Sequence, residues 1–345
     1  MAGFLRTDDR SVEAGFKYLL FGVLTSTVML YGFSLLFGFT GTADIYELGR
    51  LNAAGAIPSG LALGLILLIV AGLGFKVTVA PFHFWVPDVY EGAPTPITGF
   101  LSTISKAAGF AVILRLFVVV FPLAARDWSL IFAVLAAVTM TIGNLLALAQ
   151  KNIKRMLAYS SIAHAGYTLI GVAAIFSANE SLSSFGVTSV IFYLIAYILT
   201  NLLAFGVAVA FGRVSGSDDI PSYNGLSRRH PALALGMLAA MLSLSGMPPF
   251  GGFVAKVVVF AAAMKVGLTW LVVAGILNSA VGLYYYLIVL KHIYLYRDEA
   301  TEGTMFPVSQ PYAIALVMLA FGVILLGTVF APWFAFSNAA ALNLF

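Results

Sequence analysis

Three lysines stand alone inside long apolar stretches of the sequence: Lys76, Lys106 and Lys256. A charged amine inside a membrane is costly and marks a functional site by default. Burial disfavours the charged form of an amine, so that a sheltered lysine can exchange its proton near neutral pH. The three residues therefore predict a relay for protons or other cations. The alternative, lysines at span ends that reach the membrane surface, suits Lys265 and Lys291 better.

Two histidines extend this set of candidates. His164 shares one helix face with Ser160 and Tyr167 by its spacing of three and four residues. Histidine titrates near neutral pH, which suits a proton carrier, but a histidine that only packs between helices has the same pattern. His83, beside a predicted helix break, has the same two interpretations. A haem held by the two histidines has no further residue pattern to support it.

Other polar residues also have structural explanations. Glu13 and Lys17 are four residues apart and can form an ion pair on one helix face, with or without a function. Asp88 and Glu91 lie in a proline-rich segment that is typical of a solvated turn. The tyrosines at 284–286 are expected to pack near the membrane interface.

The composition indicates the kind of scaffold that must position these residues. Hydrophobic residues make up 61% of the chain and charged residues 9%. Apolar windows of about 20 residues recur along its length, which predicts an all-α polytopic membrane protein. The absence of cysteine excludes iron–sulfur clusters held by this chain's own thiolates. The sequence contains no phosphate-binding loop, dinucleotide fingerprint, metal-ligand pattern or nucleophile triad, and its charged loops do not indicate nucleic-acid binding.

Nine membrane spans are predicted, with short connections between them. They cover residues 16–38, 59–85, 97–121, 128–149, 157–177, 187–211, 232–263, 268–295 and 311–334. Lys and Arg residues collect on one side, which places the N-terminus in the cytoplasm and the C-terminus in the periplasm.

Prolines interrupt two of these spans. In the second span Pro81 cannot donate to the carbonyl of Val77, and in the seventh the prolines at 248–249 free the carbonyls of Leu244 and Ser245. Broken helices persist at membrane depth only where protein or a wet cavity satisfies the loose backbone groups. Paired breaks in two parts of a sequence are typical of inverted-repeat transporters.

One membrane domain with two repeats is therefore expected. Residues 1–125 would form the remainder of a first repeat, 126–297 a complete second repeat, and 298–345 a C-terminal helix.

Three segments carry a specific resemblance. They read GFKVTVAPFHFWVPDVYEGAPTPITGFLSTISKAAGFAVILR, NIKRMLAYSSIAHAGY, and MPPFGGFVAKVVVF followed by GLYYYL. They closely resemble the antiporter-like membrane subunits of proton-pumping NADH–quinone oxidoreductase (respiratory complex I), above all the subunit N group. That group is related to subunits L and M and to Mrp-type cation/proton antiporters.

This resemblance implies a fold and a set of roles. The fold has fourteen helices in which the nine spans would be the sixth to fourteenth, so that the first five are lacking. Lys76 matches the lysine of the first broken helix, at the centre of the input half-channel. Lys106 matches a linking lysine, Lys256 the lysine of the second broken helix at the output side, and His164 a histidine between them.

The family's cytoplasmic motif is also present. Glu13 and Lys17 match its Glu-Ala-x-x-Lys-Tyr pattern at the start of the sixth helix. The family's fifth helix carries a glutamate that pairs with the first broken-helix lysine, and Glu13 is not that residue.

The resemblance further implies a membrane-arm subunit of the bacterial inner membrane that moves protons. NADH, FMN, iron–sulfur clusters and quinone would bind to partner subunits, and this chain would hold no cofactor. Its partners would be other membrane-arm subunits, the lipid bilayer and protons, without nucleic acid. An Mrp-type antiporter subunit and a non-pumping structural subunit are the alternatives.

Overall fold

The fold of this chain is a bundle of α-helices. A computed structural model describes residues 1–5, 7–176, 180–297 and 306–344, and no β-strand occurs in these ranges. The helices are α1 (Asp9–Thr40), α2 (Ile45–Ala53), α3 (Ser59–Val77), α4 (Val86–Gly92), α5 (Thr95–Val120), α6 (Ala125–Ala147), α7 (Ile153–Ala173), α8 (Glu180–Ser215), α9 (Leu226–Arg229), α10 (Pro231–Ser245), α11 (Gly251–Lys265), α12 (Thr269–Tyr294), α13 (Gln310–Thr328) and α14 (Ala331–Leu342).

Seven helices in the described ranges are long and apolar enough to cross a membrane: α1, α3, α5, α6, α8, α12 and α13. The all-α polytopic membrane class is thereby confirmed. The predicted count of nine would add α7, whose polar stripe makes it less apolar, and the pair α10–α11, whose members are 15 residues each. That count and the inverted repeat stay predictions.

Helix α7 lies at the centre of the bundle. It packs against α4, α6, α8 and α11, and nearly all of its side chains are buried. Its first turn is capped by Asn152, whose side chain accepts from the backbone N–H groups of Lys154 and Arg155. Other helices therefore surround α7, and its polar residues contact protein.

The two predicted breaks occur where left-handed residues end a helix. Helix α3 ends before Thr78 (φ 66°), and α10 ends before Gly246 (φ 86°). Side-chain hydroxyls satisfy backbone groups beside both breaks. The N–H of Ala80 donates to Thr139 Oγ1 (3.1 Å), and that of Gly252 donates to Ser243 Oγ (3.1 Å). Protein groups thus replace the hydrogen bonds that the breaks remove.

Four features differ from the sequence-based boundaries. The second span ends at Val77, so that Pro81 lies in the turn beyond the helix. Asp88 and Glu91 belong to α4 rather than to a solvated turn. The connection at 39–58 contains α2, and the last predicted span is two helices, α13 and α14. Residues 298–305 of the predicted connection at 296–310 lie outside the described residues.

Candidate functional site: a buried chain of amines, imidazole and hydroxyls

Lys106 is buried in the middle of α5. Only 1% of the residue is exposed, and its Nζ donates to both the backbone carbonyl and the hydroxyl (2.5 Å) of Ser161 on α7. The amine lies 5.8 Å from the ring centre of Tyr197 on α8. The Tyr197 hydroxyl donates to the same Ser161 oxygen (2.9 Å). Three helices therefore hold this amine among neutral oxygens.

Lys256 is buried on the first turns of α11, beside the second break. Its Nζ donates to the carbonyl oxygens of Leu244 (3.1 Å) and Ser245 (2.9 Å). These are the two carbonyls that the sequence predicts to be freed by the prolines. The side chain passes so close to Gly246 that a Cβ there would lie 2.8 Å from Lys256 Cδ. The break thus forms the binding site of its own lysine.

His164 lies on α7 and uses both ring nitrogens. One hydrogen bond joins Nδ1 to the Tyr193 hydroxyl (2.7 Å), and another joins Nε2 to the Tyr286 hydroxyl (3.3 Å). The Tyr286 hydroxyl also shares a hydrogen bond with Ser160. The imidazole therefore has no nitrogen left for a metal or haem iron in this arrangement, and His83 is not one of its hydrogen-bond partners.

Tyrosine rings connect the two lysines to the histidine. The ring of Tyr197, beside Lys106, lies 5.2 Å from the His164 ring. The ring of Tyr167 lies 5.7 Å from the His164 ring and 4.7 Å from the Lys256 amine. We call Lys106, His164 and Lys256, with the hydroxyls that contact them, the central polar chain.

A small cavity lies within the central polar chain. Its volume is about 10 Å³, and it is lined by His164, Tyr193, Tyr197, Thr200, Ser243, Leu244, Gly252 and neighbouring alanines. Such a volume holds about one water molecule when two or more polar groups surround it. The cavity could thus carry a proton across the gap between the histidine and the second break.

Neither Lys106 nor Lys256 forms an ion pair with a carboxylate of the described residues. A charge held only by neutral oxygens in a low-dielectric interior is expensive to keep. Nearby charges also interact strongly there, so that adding a proton at one amine makes protonation of its neighbours less favourable. The geometry suits groups that hand protons on rather than groups that hold permanent charges.

Lys76 differs from the other two lysines. We expected it to be buried, but the structure leaves its side chain exposed at the end of α3. Its amine lies 5.7 Å from the ring centre of Phe75 and lines a cleft of about 410 Å³ that α1 borders with Tyr18 and Ser26. The sequence could not show that Lys76 is exposed, because the apolar residues around it are the same whether or not a neighbouring helix covers that face of α3.

His83 is buried in the turn between α3 and α4. It is 5% exposed, and its ring stacks on Phe84 with centres 4.7 Å apart. Its Nδ1 has no hydrogen-bond partner in the described part of the chain. The structure therefore does not bring His83 into the central polar chain.

A charged cluster joins α1, α4 and α7 at one end of the bundle. Lys17 Nζ contacts Glu13 (2.6 Å), as its spacing predicts, and also Asp88 (2.5 Å). Arg155 Nη1 contacts both Asp88 (2.7 Å) and Glu91 (2.8 Å). We call these five residues the charged cluster, and the end of the bundle where they lie the charged end.

The electrostatics of the charged cluster are dominated by Asp88. Partial burial of its carboxyl acts to raise the pKa, but hydrogen bonds from Lys17 and Arg155 outweigh it and hold the pKa below its ordinary value. Asp88 therefore stays ionised and fastens α4 to its two neighbours. The interpretation of Asp88 and Glu91 as solvated turn residues was wrong, because their partners lie more than 60 residues away.

Several residues of the site were missed by reasoning from sequence. Tyr285 and Tyr286 are 3% and 2% exposed and pack between helices, as expected, but their hydrogen bonds within the site were not predicted; Tyr284 is 61% exposed. The polar face of α8 was also overlooked. Its signal is the spacing of four between Tyr193, Tyr197 and Asn201, which places all three on one helix face. Ser161, which accepts from the Lys106 amine, was also overlooked.

The bundle defines a polytopic helical membrane protein with titratable groups buried between its helices. The chain belongs to the family described as NADH:quinone oxidoreductase/Mrp antiporter, transmembrane, whose sequence model matches residues 1–282.

Among its relatives is NADH-quinone oxidoreductase subunit N of Heliobacterium modesticaldum, which is 46% identical over all of this chain and 71% of its own length. NAD(P)H-quinone oxidoreductase subunit 2 of Nostoc punctiforme is 41% identical over 99% of this chain and 65% of its own. The chain thus spans about two thirds of the length of these relatives.

Solved structures share the fold. A chain of respiratory complex I from Thermus thermophilus is 36% identical, with a TM-score of 0.79 over 96% of this chain and 70% of its own. A chain of the Mrp complex from Dietzia sp. has a TM-score of 0.86 over 98% of this chain and 69% of its own; at 24% identity it is similar in fold alone.

Proposed function

We propose that this chain is a proton-translocating membrane-arm subunit of an NADH–quinone oxidoreductase. Electron transfer from NADH to quinone would take place in partner subunits, which would hold the FMN, the iron–sulfur clusters and the quinone. The observation that carries this proposal is the central polar chain, in which two buried amines without a carboxylate partner among the described residues flank one histidine.

The central part of the relay would run from Lys106 to Lys256. Lys106 gives its proton to the Ser161 hydroxyl, which then has to turn so that it donates to the Tyr197 hydroxyl. Tyr197 in turn passes its own proton into the water-sized cavity, which His164 also lines. Transfer onward to Lys256 crosses the same cavity, which Leu244 and Ser243 border. Charge repulsion between the three groups drives the steps, because a newly arrived proton destabilises the one ahead of it.

The remaining candidates have supporting roles in this proposal. Lys76 enters through the family resemblance as the first proton carrier, and another helix would have to cover its exposed amine in the assembled membrane arm. Glu13 and Lys17 act in the charged cluster, which links α1 to α4 and α7. His83 is retained only as an accessory group, since its contacts lie outside the central polar chain.

The charged end would face the cytoplasm of the bacterium, with the chain in the inner membrane. The distribution of Lys and Arg favours this orientation. It places the N-terminus in the cytoplasm and the C-terminus in the periplasm. In this proposal residues 1–125 and 126–297 form the two repeats, and residues 298–345 form the C-terminal segment. The repeats would move against each other around the central polar chain.

Substitution of Lys256 by alanine tests the proposal. The variant is introduced into the whole oxidoreductase, and NADH-driven proton uptake into inverted membrane vesicles is measured together with the rate of NADH oxidation. Proton uptake should fall severely while the complex remains assembled. Lys265→Ala is the matched control, because this lysine lies on the same helix but is exposed at its end, against the ring of Phe185.

Normal proton uptake in the assembled Lys256→Ala variant would refute the relay and favour a structural subunit.

A second candidate function is that of an Mrp-type cation/proton antiporter, which the family description and the shared fold favour. Sodium-dependent proton movement in vesicles, by a complex that does not oxidise NADH, would support that candidate instead.

A further inference from the structure

An apolar groove runs along the outer face of the bundle between α10 and α13. Its volume is about 510 Å³, and its walls include Leu235 and Leu238 of α10 and Val317 and Phe321 of α13. Leu235, Val317 and Phe321 are 59%, 64% and 62% exposed, so that the groove opens to the surroundings of the bundle. Because α13 is long and apolar enough to cross a membrane and α10 is a shorter apolar helix, these surroundings would include hydrocarbon.

The dimensions of the groove favour a single hydrocarbon chain. On α13 it extends from Ala313 to Ile324, which is about 16 Å at 1.5 Å per residue. The volume of about 510 Å³ over that length gives a mean cross-section of about 30 Å². A transmembrane helix with side chains is 10–12 Å wide and needs roughly 80–110 Å². A neighbouring helix could therefore place only a row of side chains in the groove, whereas an acyl chain fits it along its whole length.

One cation, Arg229, lies next to the end of the groove near α9, beside His230, whose Nδ1 accepts from the backbone N–H of Leu233 (3.3 Å). His230 lines the groove there, and its ring lies 5.2 Å from that of Phe306. The Arg229 guanidinium lies 5.8 Å from the same Phe306 ring and is 9% exposed. Its Nε has no hydrogen-bond partner in the described part of the chain. A phosphate oxygen accepts hydrogen bonds from a guanidinium, and basic pockets between membrane helices attract lipid headgroups.

The opposite part of the groove reaches the second helix break. Phe250, which precedes α11, is one of its lining residues. Lys256 lies between one and two turns further along the same helix. A tail in the groove would therefore end against the segment that positions the break.

We propose that this groove binds an anionic phospholipid, with one acyl chain between α10 and α13 and the phosphate beside Arg229 and His230. The apolar walls bind the tail through burial of its methylenes. The cationic end selects the headgroup. This site is independent of the proton relay, because none of its side chains belongs to the central polar chain.

Photocrosslinking tests the site. The whole oxidoreductase is reconstituted in vesicles that contain phosphatidylglycerol with a photoactivatable acyl chain, and the modified residues are identified by mass spectrometry. Adducts should concentrate on Leu235 and Phe321. Ala320→Phe, which fills the groove, should lower their yield roughly tenfold, because even two displaced methylenes weaken binding by that factor. Ala280→Phe on the exposed face of α12 should leave the yield unchanged.

The headgroup is tested with phosphatidylcholine that carries the same photoactivatable chain. The anionic lipid should be preferred, and Arg229→Gln should reduce this preference about fivefold, since one cation near the surface contributes that much. Arg126→Gln, an exposed arginine at the far end of α6, is the matched control.

Three results would overturn the proposal. One is an even spread of adducts over all exposed helices. Another is capture of a neighbouring subunit instead of lipid at the groove. The third is an adduct yield that Ala320→Phe does not change. All three readouts are separate from proton uptake, so that failure of this site and failure of the proposed relay can be told apart.

Discussion

Replacement of Gly246 by alanine should uncouple proton movement without unfolding the protein. A Cβ at this position would lie 2.8 Å from Lys256 Cδ and 3.3 Å from its Nζ. The lysine tail is flexible and can move aside, so that the fold tolerates the contact. The amine, however, then loses at least one of its bonds to the Leu244 and Ser245 carbonyls.

The size of the effect follows from that lost bond. A hydrogen bond to a charged group contributes about 1.5–3 kcal/mol, which corresponds to roughly tenfold or more in the population of the correctly placed amine. The left-handed backbone at Gly246 (φ 86°) adds a penalty of about 1–2 kcal/mol to stability for any residue with a Cβ.

A matched glycine separates these two contributions. Gly267 also has a positive φ (82°), but a Cβ there would meet no atom within 4 Å. Both alanine variants should lose similar stability, measured as thermal unfolding of the purified complex. Only Gly246→Ala should lose protons moved per NADH oxidised, by roughly tenfold. If the two variants pump equally well, the amine does not need its two carbonyl partners and our reasoning about the break is wrong.

Two further predictions concern the charged cluster and the histidine. Because hydrogen bonds from Lys17 and Arg155 hold the pKa of Asp88 below its ordinary value, its bond to Lys17 should stabilise the complex at neutral pH and lose this effect as the pH falls through the depressed pKa. The difference in melting temperature between wild type and Asp88→Asn should therefore vanish in strong acid, and a difference that stays constant would contradict this prediction. Tyr286→Phe should slow proton uptake, because His164 loses a hydroxyl partner. Tyr284→Phe, which changes an exposed ring, should leave the rate of proton uptake unchanged. Equal rates of uptake in the two variants would exclude Tyr286 from the relay.

The helix breaks show how far local sequence can be interpreted. A proline cannot donate a backbone hydrogen bond, so that the prolines at 248–249 predict loose carbonyls on Leu244 and Ser245 wherever the helix lies. The pairing of Glu13 with Lys17 is predictable for the same reason, because one helix fixes their separation. The family resemblance rests on these local patterns and is confirmed by the match over residues 1–282.

The partners across helices could not be obtained in this way. Local periodicity shows that Tyr286 and His164 each face one side of a helix, but not that those sides meet. The rotation and depth of α7 against α12 decide that, and these depend on packing over the whole bundle. The same reason explains why Asp88 and Arg155, which are 67 residues apart, were not expected to pair.

The sequence by itself therefore determined the membrane class, the two breaks and the residue types that can carry protons. The tertiary structure decided which of those residues belong together. It buries Lys106 and Lys256 around His164 and leaves Lys76 exposed, although all three stand in equally apolar runs. The physical reason is that hydrophobicity along one chain measures affinity for an apolar medium, and cannot tell a neighbouring helix from lipid.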